Sequence, residues 1–252
     1  MFQRFWKNSN SGYSLIEMVV VIIIIGILAA VVMKSLGKAT EVSRTEETKK
    51  EMELLSYAIA GNPNLISNGG RIDFGYIGDV GAFPPDWDAL VSNPGGYATW
   101  DGPYIEDKFA MGAGDTGFKL DAWGEPYSSP ASVSFSSTGG GFAITRTIAY
   151  STEDIFANSV SAVITDIDDS PPGTTYADSV RFLVTVPDGA GSYTVKSGIP
   201  GSDGFCRIDS IPIGNHLFQT VYLPDNDTLT RRISINPGQD LYLDLSYFAD
   251  IW

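Results

Sequence analysis

One cysteine, Cys206, is all the chain has, so no intrachain disulfide can form. One histidine, His216, removes most of the metal and triad chemistry that relies on imidazole. Neither a phosphate loop nor a dinucleotide fingerprint occurs, and no G-x-S-x-G elbow presents a nucleophilic serine. Cations are scarce too: Lys and Arg number 16 against 30 Asp and Glu, a formal charge of −14. That balance repels nucleic acid and anionic lipid headgroups, so neither is expected as a partner. It fits a solvated surface or one that gathers divalent cations. An enzyme is hard to build from what remains.

What the chain does have is a long apolar run. From Leu15 to Met33 nearly every residue is apolar, and Glu17 is the one charge among them. Counted from Tyr13 the run is 21 residues, enough for a helix to cross the hydrocarbon core of a bilayer. A carboxylate at mid-bilayer costs about 2.5–3.5 kcal/mol on insertion scales, and less near the start of a span. The helix offers Glu17 no basic neighbour, so the sequence predicts a partner on another copy of the chain. Arg4 and Lys7 precede the run, which by the positive-inside rule keeps the N-terminus cytoplasmic. Everything after Met33 then lies across the membrane. The run is too long for a removable secretory signal and lacks a small-x-small exit site.

A short basic leader, Gly12-Tyr13, Glu17 four residues after Tyr13 and an unbroken apolar helix together resemble the signal of type IV pilins and type II secretion pseudopilins. The resemblance implies that a prepilin peptidase cuts after Gly12 and that Tyr13 becomes the N-methylated terminus. It implies also that Glu17 meets the terminal amine of a neighbouring subunit during assembly. Tyr13 stands where Phe is commoner, and keeps an aromatic ring there. Loss of Met1–Gly12 would remove Arg4 and Lys7 and take the formal charge from −14 to −16. The implied partners are further copies of this chain, other pilins or pseudopilins, the peptidase and the bacterial inner membrane. The implied destination is a periplasmic or extracellular filament.

Beyond the 13–33 run, residues 34–61 read as the continuation of the same helix. The stretch Lys34–Ala60 has no proline and is rich in Glu, Lys, Ala, Met and Leu. Val42, Met52, Leu55 and Ile59 predict one apolar stripe facing a domain. Gly61-Asn62-Pro63 carries the residues that end helices. Relatives often have a proline where this chain reads Met33-Lys34, and without it the usual cause of a kink is missing.

Residues 62–157 are rich in Gly, Asn and aromatics and read as loops and short strands. Two turns stand out, Trp100-Asp101-Gly102-Pro103-Tyr104 and Asp121-Ala122-Trp123-Gly124-Glu125-Pro126-Tyr127. In each, Gly and Pro set the backbone and aromatics flank it for burial over a helix. Both resemble segments of the head of the major pseudopilin of type II secretion. In that family a Gly- and Asp-rich tail holds Ca²⁺ after these turns. The tail is missing here, so no cofactor is assigned and Ca²⁺ is left open. Ser132–Thr138 reads as a flexible surface loop and Phe142–Ala149 as a strand.

Residues 158–252 supply seven strand candidates: Val160–Ile164, Val180–Val186, Ser192–Lys196, Cys206–Ile208, His216–Tyr222, Leu229–Ile235 and Leu241–Leu245. Turn signals such as Pro187-Asp188-Gly189 and Asn236-Pro237-Gly238 separate them, which predicts an antiparallel sandwich. The segment from Asp203 to His216, with Ile211-Pro212-Ile213-Gly214, resembles the carboxypeptidase regulatory-like, transthyretin-type sandwich. Asp166, Asp168 and Asp169 read as solvated turn acids, since their spacing does not fit a Ca²⁺-binding EF-hand. Cys206 reads as a buried thiol and His216 as a hydrogen-bonding turn residue. Asp101, Glu106 and Asp107 lack the arrangement a glycosidase pair needs.

The expected fold class is therefore α+β. A long N-terminal helix packs on a small pilin-type β head, and an all-β seven-strand sandwich follows. The expected function is a structural subunit of a pilus or pseudopilus. The alternative is a membrane-anchored extracytoplasmic module that binds carbohydrate or protein and forms no filament.

Overall fold

The structure is a computed structural model that describes residues 12–105 and 117–252. The chain divides into two compact units, Met1–Glu46 and Glu47–Trp252. A single α-helix, α1 (Leu15–Ala60), contributes to both, without a break at Met33-Lys34. In the first unit its apolar side chains stand in the open: Ile22, Ile25, Leu28 and Val31 are all more than half exposed. Among the described residues it is the one helix long and apolar enough to cross a membrane.

In the second unit the helix turns one stripe inward. Thr48, Met52, Leu55 and Ile59 are buried at spacings of four, three and four, the repeat of one helix face. Val42 is exposed, not part of that stripe. Ten residues at about 100° each return it roughly 80° away from Met52, so Thr48 occupies the place expected for it. The helix ends at Gly61, whose left-handed φ of 80° lets its N–H return to the Tyr57 carbonyl at 2.7 Å. A Cβ at Gly61 would stand 2.2 Å from the Asp73 carbonyl oxygen, so glycine is obligatory there. The Arg71 guanidinium then caps the freed carbonyls of Ala60 and Gly61. The Asp73 carboxylate accepts from Asn62 N at 2.7 Å and from Gly75 N at 3.1 Å.

The stripe packs on short elements: β1 (Ile66–Ser67), β2 (Gly70–Arg71), α2 (Gly75–Val80), β3 (Ser134–Ser137), β4 (Ile144–Thr147) and α3 (Thr152–Phe156). Their core joins Met52, Leu55 and Ile59 to Tyr76, Ile77, Leu90 and Phe135. One of these strands, β3, revises the sequence reading, while β4 falls within the strand expected at Phe142–Ala149. Ser132–Thr138 is no free loop: Ser134–Ser137 pairs antiparallel with Ile144–Thr147. Phe135 and Ser137 alternate inward and are almost fully buried.

After α3 come β5 (Asn158–Thr165), α4 (Gly173–Tyr176), β6 (Val180–Pro187), β7 (Tyr193–Gly198), β8 (Phe205–Ile211), β9 (Gly214–Tyr222), β10 (Asp227–Ile235) and β11 (Asp240–Ser246). All seven expected strands are present and form two sheets, ordered β10-β9-β6-β7 and β11-β5-β8. A second core lies between them, with Ile164, Phe182, Phe218, Ile235 and Tyr247 essentially inaccessible. The sandwich is mixed, not antiparallel throughout, because β11 runs parallel to β5. The last strand leaves β10 through the short Asn236-Pro237-Gly238 turn and enters the other sheet. It crosses over instead of hairpinning onto β10, and a crossover makes a parallel neighbour. The observed class is mixed α and β: a long N-terminal apolar helix followed by several sheets.

Candidate functional site

Two places hold the residues singled out by sequence. The first is the start of α1. Gly12 and Tyr13 are exposed ahead of the helix, and the leader residues before Gly12 lie outside those described. Ser14 precedes Leu15, and here the structure supplies what sequence reasoning missed. Ser14 N donates to Glu17 Oε2 at 2.9 Å while Glu17 N donates to Ser14 Oγ at 3.3 Å. This is a reciprocal capping box, and it satisfies two backbone donors that the helix start leaves free. Glu17 thus has a hydrogen-bond partner in its own first turn, a backbone amide and not a basic group, alongside the charge partner expected from another copy. The signal was present as Ser14-x-x-Glu17 ahead of an apolar run. Ser14→Ala should cost about 1 kcal/mol of local helix stability. The expected result is roughly fivefold faster hydrogen exchange at the Glu17 amide, read by NMR in micelles, with membrane insertion unchanged.

The second place is the pair of aromatic turns in the Glu47–Trp252 unit. In the first turn Trp100 Nε1 donates to the Ala89 carbonyl at 2.9 Å, and Tyr104 OH donates to Asp79 Oδ2 at 2.8 Å. The rings of Trp100 and Tyr104 meet edge to face at 5.6 Å. Gly102 lies under the Trp100 indole, where a Cβ would come within 2.4 Å of the ring. The Gly102-Pro103 peptide is cis. Asp101 is exposed; Glu106 and Asp107 lie outside the described residues.

Asp79 was not foreseen. Burial pushes its carboxyl up to about 6, against the lowering effect of the Tyr104 hydroxyl. A folded-state pKa above the unfolded value gives stability that is full below the unfolded pKa, about 3.8, and is lost as pH rises through about 6. Asp79→Asn removes that loss. The melting temperature of the variant relative to wild type should therefore rise between pH 4 and pH 7, and a flat difference contradicts the assignment.

The second turn is organised by Asp121, a buried carboxylate. Its Oδ1 accepts from Trp123 N and Glu125 N, each at 2.9 Å. Its Oδ2 accepts from Ser137 Oγ at 2.5 Å and Gly139 N at 3.1 Å. Gly124 takes a left-handed φ of 87° and its N–H closes the turn on the Asp121 carbonyl at 2.8 Å. Pro126 forms an isolated bridge with Leu120. The turn grips the helix twice: Ala122 N donates to Thr48 Oγ1 at 3.2 Å, and Tyr127 OH donates to Glu51 Oε2 at 2.8 Å. Burial raises the Glu51 carboxyl, and burial beside Glu51 raises the Tyr127 hydroxyl. Tyr127 also joins Trp87 and Phe135 in an aromatic cluster. The second turn thus braces α1, while the first is tied to Asp79 of α2 and to the Ala89 carbonyl. Nothing in their geometry positions a nucleophile or a general base.

The remaining candidates fall into structural places. Asp166 is buried, not solvated: its Oδ1 accepts from Asp168 N and Ser170 N and fixes the turn after β5. Among the described residues no group of three His, Cys, Asp or Glu converges as metal ligands. Cys206 is buried and burial raises its thiol pKa. His216 is buried too, its Nε2 2.8 Å from the Pro212 carbonyl oxygen.

Residues 7–33 match the family model described as the prokaryotic N-terminal methylation motif. The chain therefore carries a type IV pilin-like N-terminal motif, and this motif with the apolar helix fits anchoring in a membrane. No curated protein matches the sequence. Among solved structures, BcpA, the major pilin subunit of Bacillus cereus, is similar at 9% identity, with a TM-score of 0.25. The match covers 46% of this chain and 36% of that one, and so low a score does not establish a common fold.

Proposed function

We propose that this chain is a structural, non-catalytic subunit of a pilus or pseudopilus, processed by a prepilin peptidase and assembled through α1. The observation that carries the reading is a single carboxylate in the first turn of an exposed apolar helix, inside a methylation motif. Cleavage after Gly12 frees Tyr13, which is then N-methylated. The subunit waits in the inner membrane with its N-terminus cytoplasmic and its body across the bilayer.

Assembly transfers apolar helices from lipid to a helix bundle, and lipid is already apolar. Hydrophobic burial therefore supplies little, and polar contacts must set the register. Glu17, exchanging its Ser14 cap for a neighbour's Tyr13 amine, is the residue for that. In the same reading, residues 62–157 form a head like that of the major type II pseudopilin, and residues 158–252 a carboxypeptidase regulatory-like sandwich carried beyond it. The test is mass spectrometry of the mature N-terminus together with negative-stain microscopy of sheared cells. N-methyl-Tyr13 and fibres that vanish on deletion are expected. A chain that begins at Met1, or an unmodified terminus elsewhere, replaces this reading with a membrane-anchored binding module.

A further inference from the structure

The sandwich is one strand short on one side. Four strands face three, and the edge strands β10 and β11 lie on the same side of the sheet pair, where both line one groove. Along a free edge every second residue turns its N–H and C=O outward, ready to pair with another strand. β11 has no proline or lysine to block this, and its inward Leu241 and Leu243 are only partly covered. Between the two edges and the β1–β2 hairpin runs a groove of about 860 Å³, lined by Ile66, Arg232, Ile233, Leu241 and Leu243 among others. Among the described residues no carboxylate lines it, although the chain has 30 acids to 16 bases. On so acidic a surface, this is where a second acidic copy meets least repulsion.

Register makes the match specific. Arg232 lies opposite Leu217, and so on the outward face of its sheet, while Ile233 pairs with the buried His216. Asp244 lies opposite Val163, on the outward face of the other sheet, while Leu243 pairs with the buried Ala162. Arg232 and Asp244 are both exposed. If β10 of one copy extends the sheet of another at β11, outward faces align and the two opposite charges share one face. A two-fold axis along the strands makes the same contact twice, β10 to β11 and β11 to β10.

We propose that this side of the sandwich pairs with the same side of a second copy, β10 beside β11, with Arg232 of each copy meeting Asp244 of the other. Such a contact uses one patch on both partners and closes on two, so it cannot propagate a fibre. Its role, resting on the filament reading, is to join copies on neighbouring fibres.

The pairing itself is tested on the full chain in detergent by analytical ultracentrifugation, apart from any fibre. Wild type should dimerise. Arg232→Glu and Asp244→Arg should each weaken the dimer at least tenfold, and the double variant should restore it. Both residues are exposed, so neither change threatens folding. A dimer indifferent to both single charge reversals is held by α1 and overturns the proposal. So does a wild type that stays monomeric, which leaves the edge to a foreign strand. Fibres without the dimer sink this contact alone; the dimer without fibres sinks the filament reading and keeps the contact.

Discussion

Glu17→Leu is expected to insert and to be cleaved normally, and to lower the yield of sheared fibres by roughly a hundredfold or more. The magnitude comes from the neighbour's amine. Once the helices bundle, that amine is desolvated, and breaking a buried ion pair by removing one partner costs about 3–5 kcal/mol. The capping box adds a second effect that must be separated from the first. Glu17 also holds Ser14 N, and losing that cap costs only about 1 kcal/mol. Glu17→Gln divides the two, because an amide oxygen can still accept from Ser14 N but carries no charge. Pairing predicts that Gln assembles as poorly as Leu. A Gln variant with normal fibre yield would reduce Glu17 to a helix cap, and quantifying pilin in sheared fractions against cell-bound pilin decides it.

The same residue shows what sequence could and could not deliver. The apolar run, the helix end at Gly61 and the seven strands follow from composition, period and turn residues, all of which act over a few positions. The helix continues unbroken through Met33-Lys34 because no proline interrupts it. Partners distant in sequence were another matter. Asp79 meets Tyr104 across 25 residues and Glu51 meets Tyr127 across 76, and no local pattern marks either acid as special. Sheet order is equally non-local. Alternation in Leu241–Leu245 predicts a strand with one buried face, yet is silent on whether it pairs parallel or antiparallel.

The aromatic turns illustrate both sides at once. Their residues were legible as turns, and the aromatic burial over a helix followed from chemistry. What sequence did not reveal was that a carboxylate, not a ring, organises the second one. Asp121 gathers donors from its own turn and from a hairpin 16 to 18 residues on, which explains why Ser137 is buried in a segment that reads as surface loop.

Asp121→Ala should therefore destabilise the body of the chain strongly, by about 3–5 kcal/mol. Four donors lose their acceptor together: Trp123 N, Glu125 N, Ser137 Oγ and Gly139 N. A buried donor left unsatisfied costs about 1–3 kcal/mol, and bonds to a charged acceptor sit at the upper end. The total is less than four such terms, because the half-exposed donors of the Trp123–Glu125 turn recover water. Asp121→Asn should fall between, since its oxygen can serve Trp123 N and Glu125 N while its NH₂ faces the Gly139 N–H. Ser137 can rotate to accept; the Gly139 backbone cannot. Urea unfolding of the full chain in detergent, followed by tryptophan fluorescence from Trp87 and Trp123 beside the site, should rank Asp above Asn above Ala. If Ala lies within about 1 kcal/mol of wild type, water reaches all four donors and the turn braces α1 through Thr48 and Tyr127 alone.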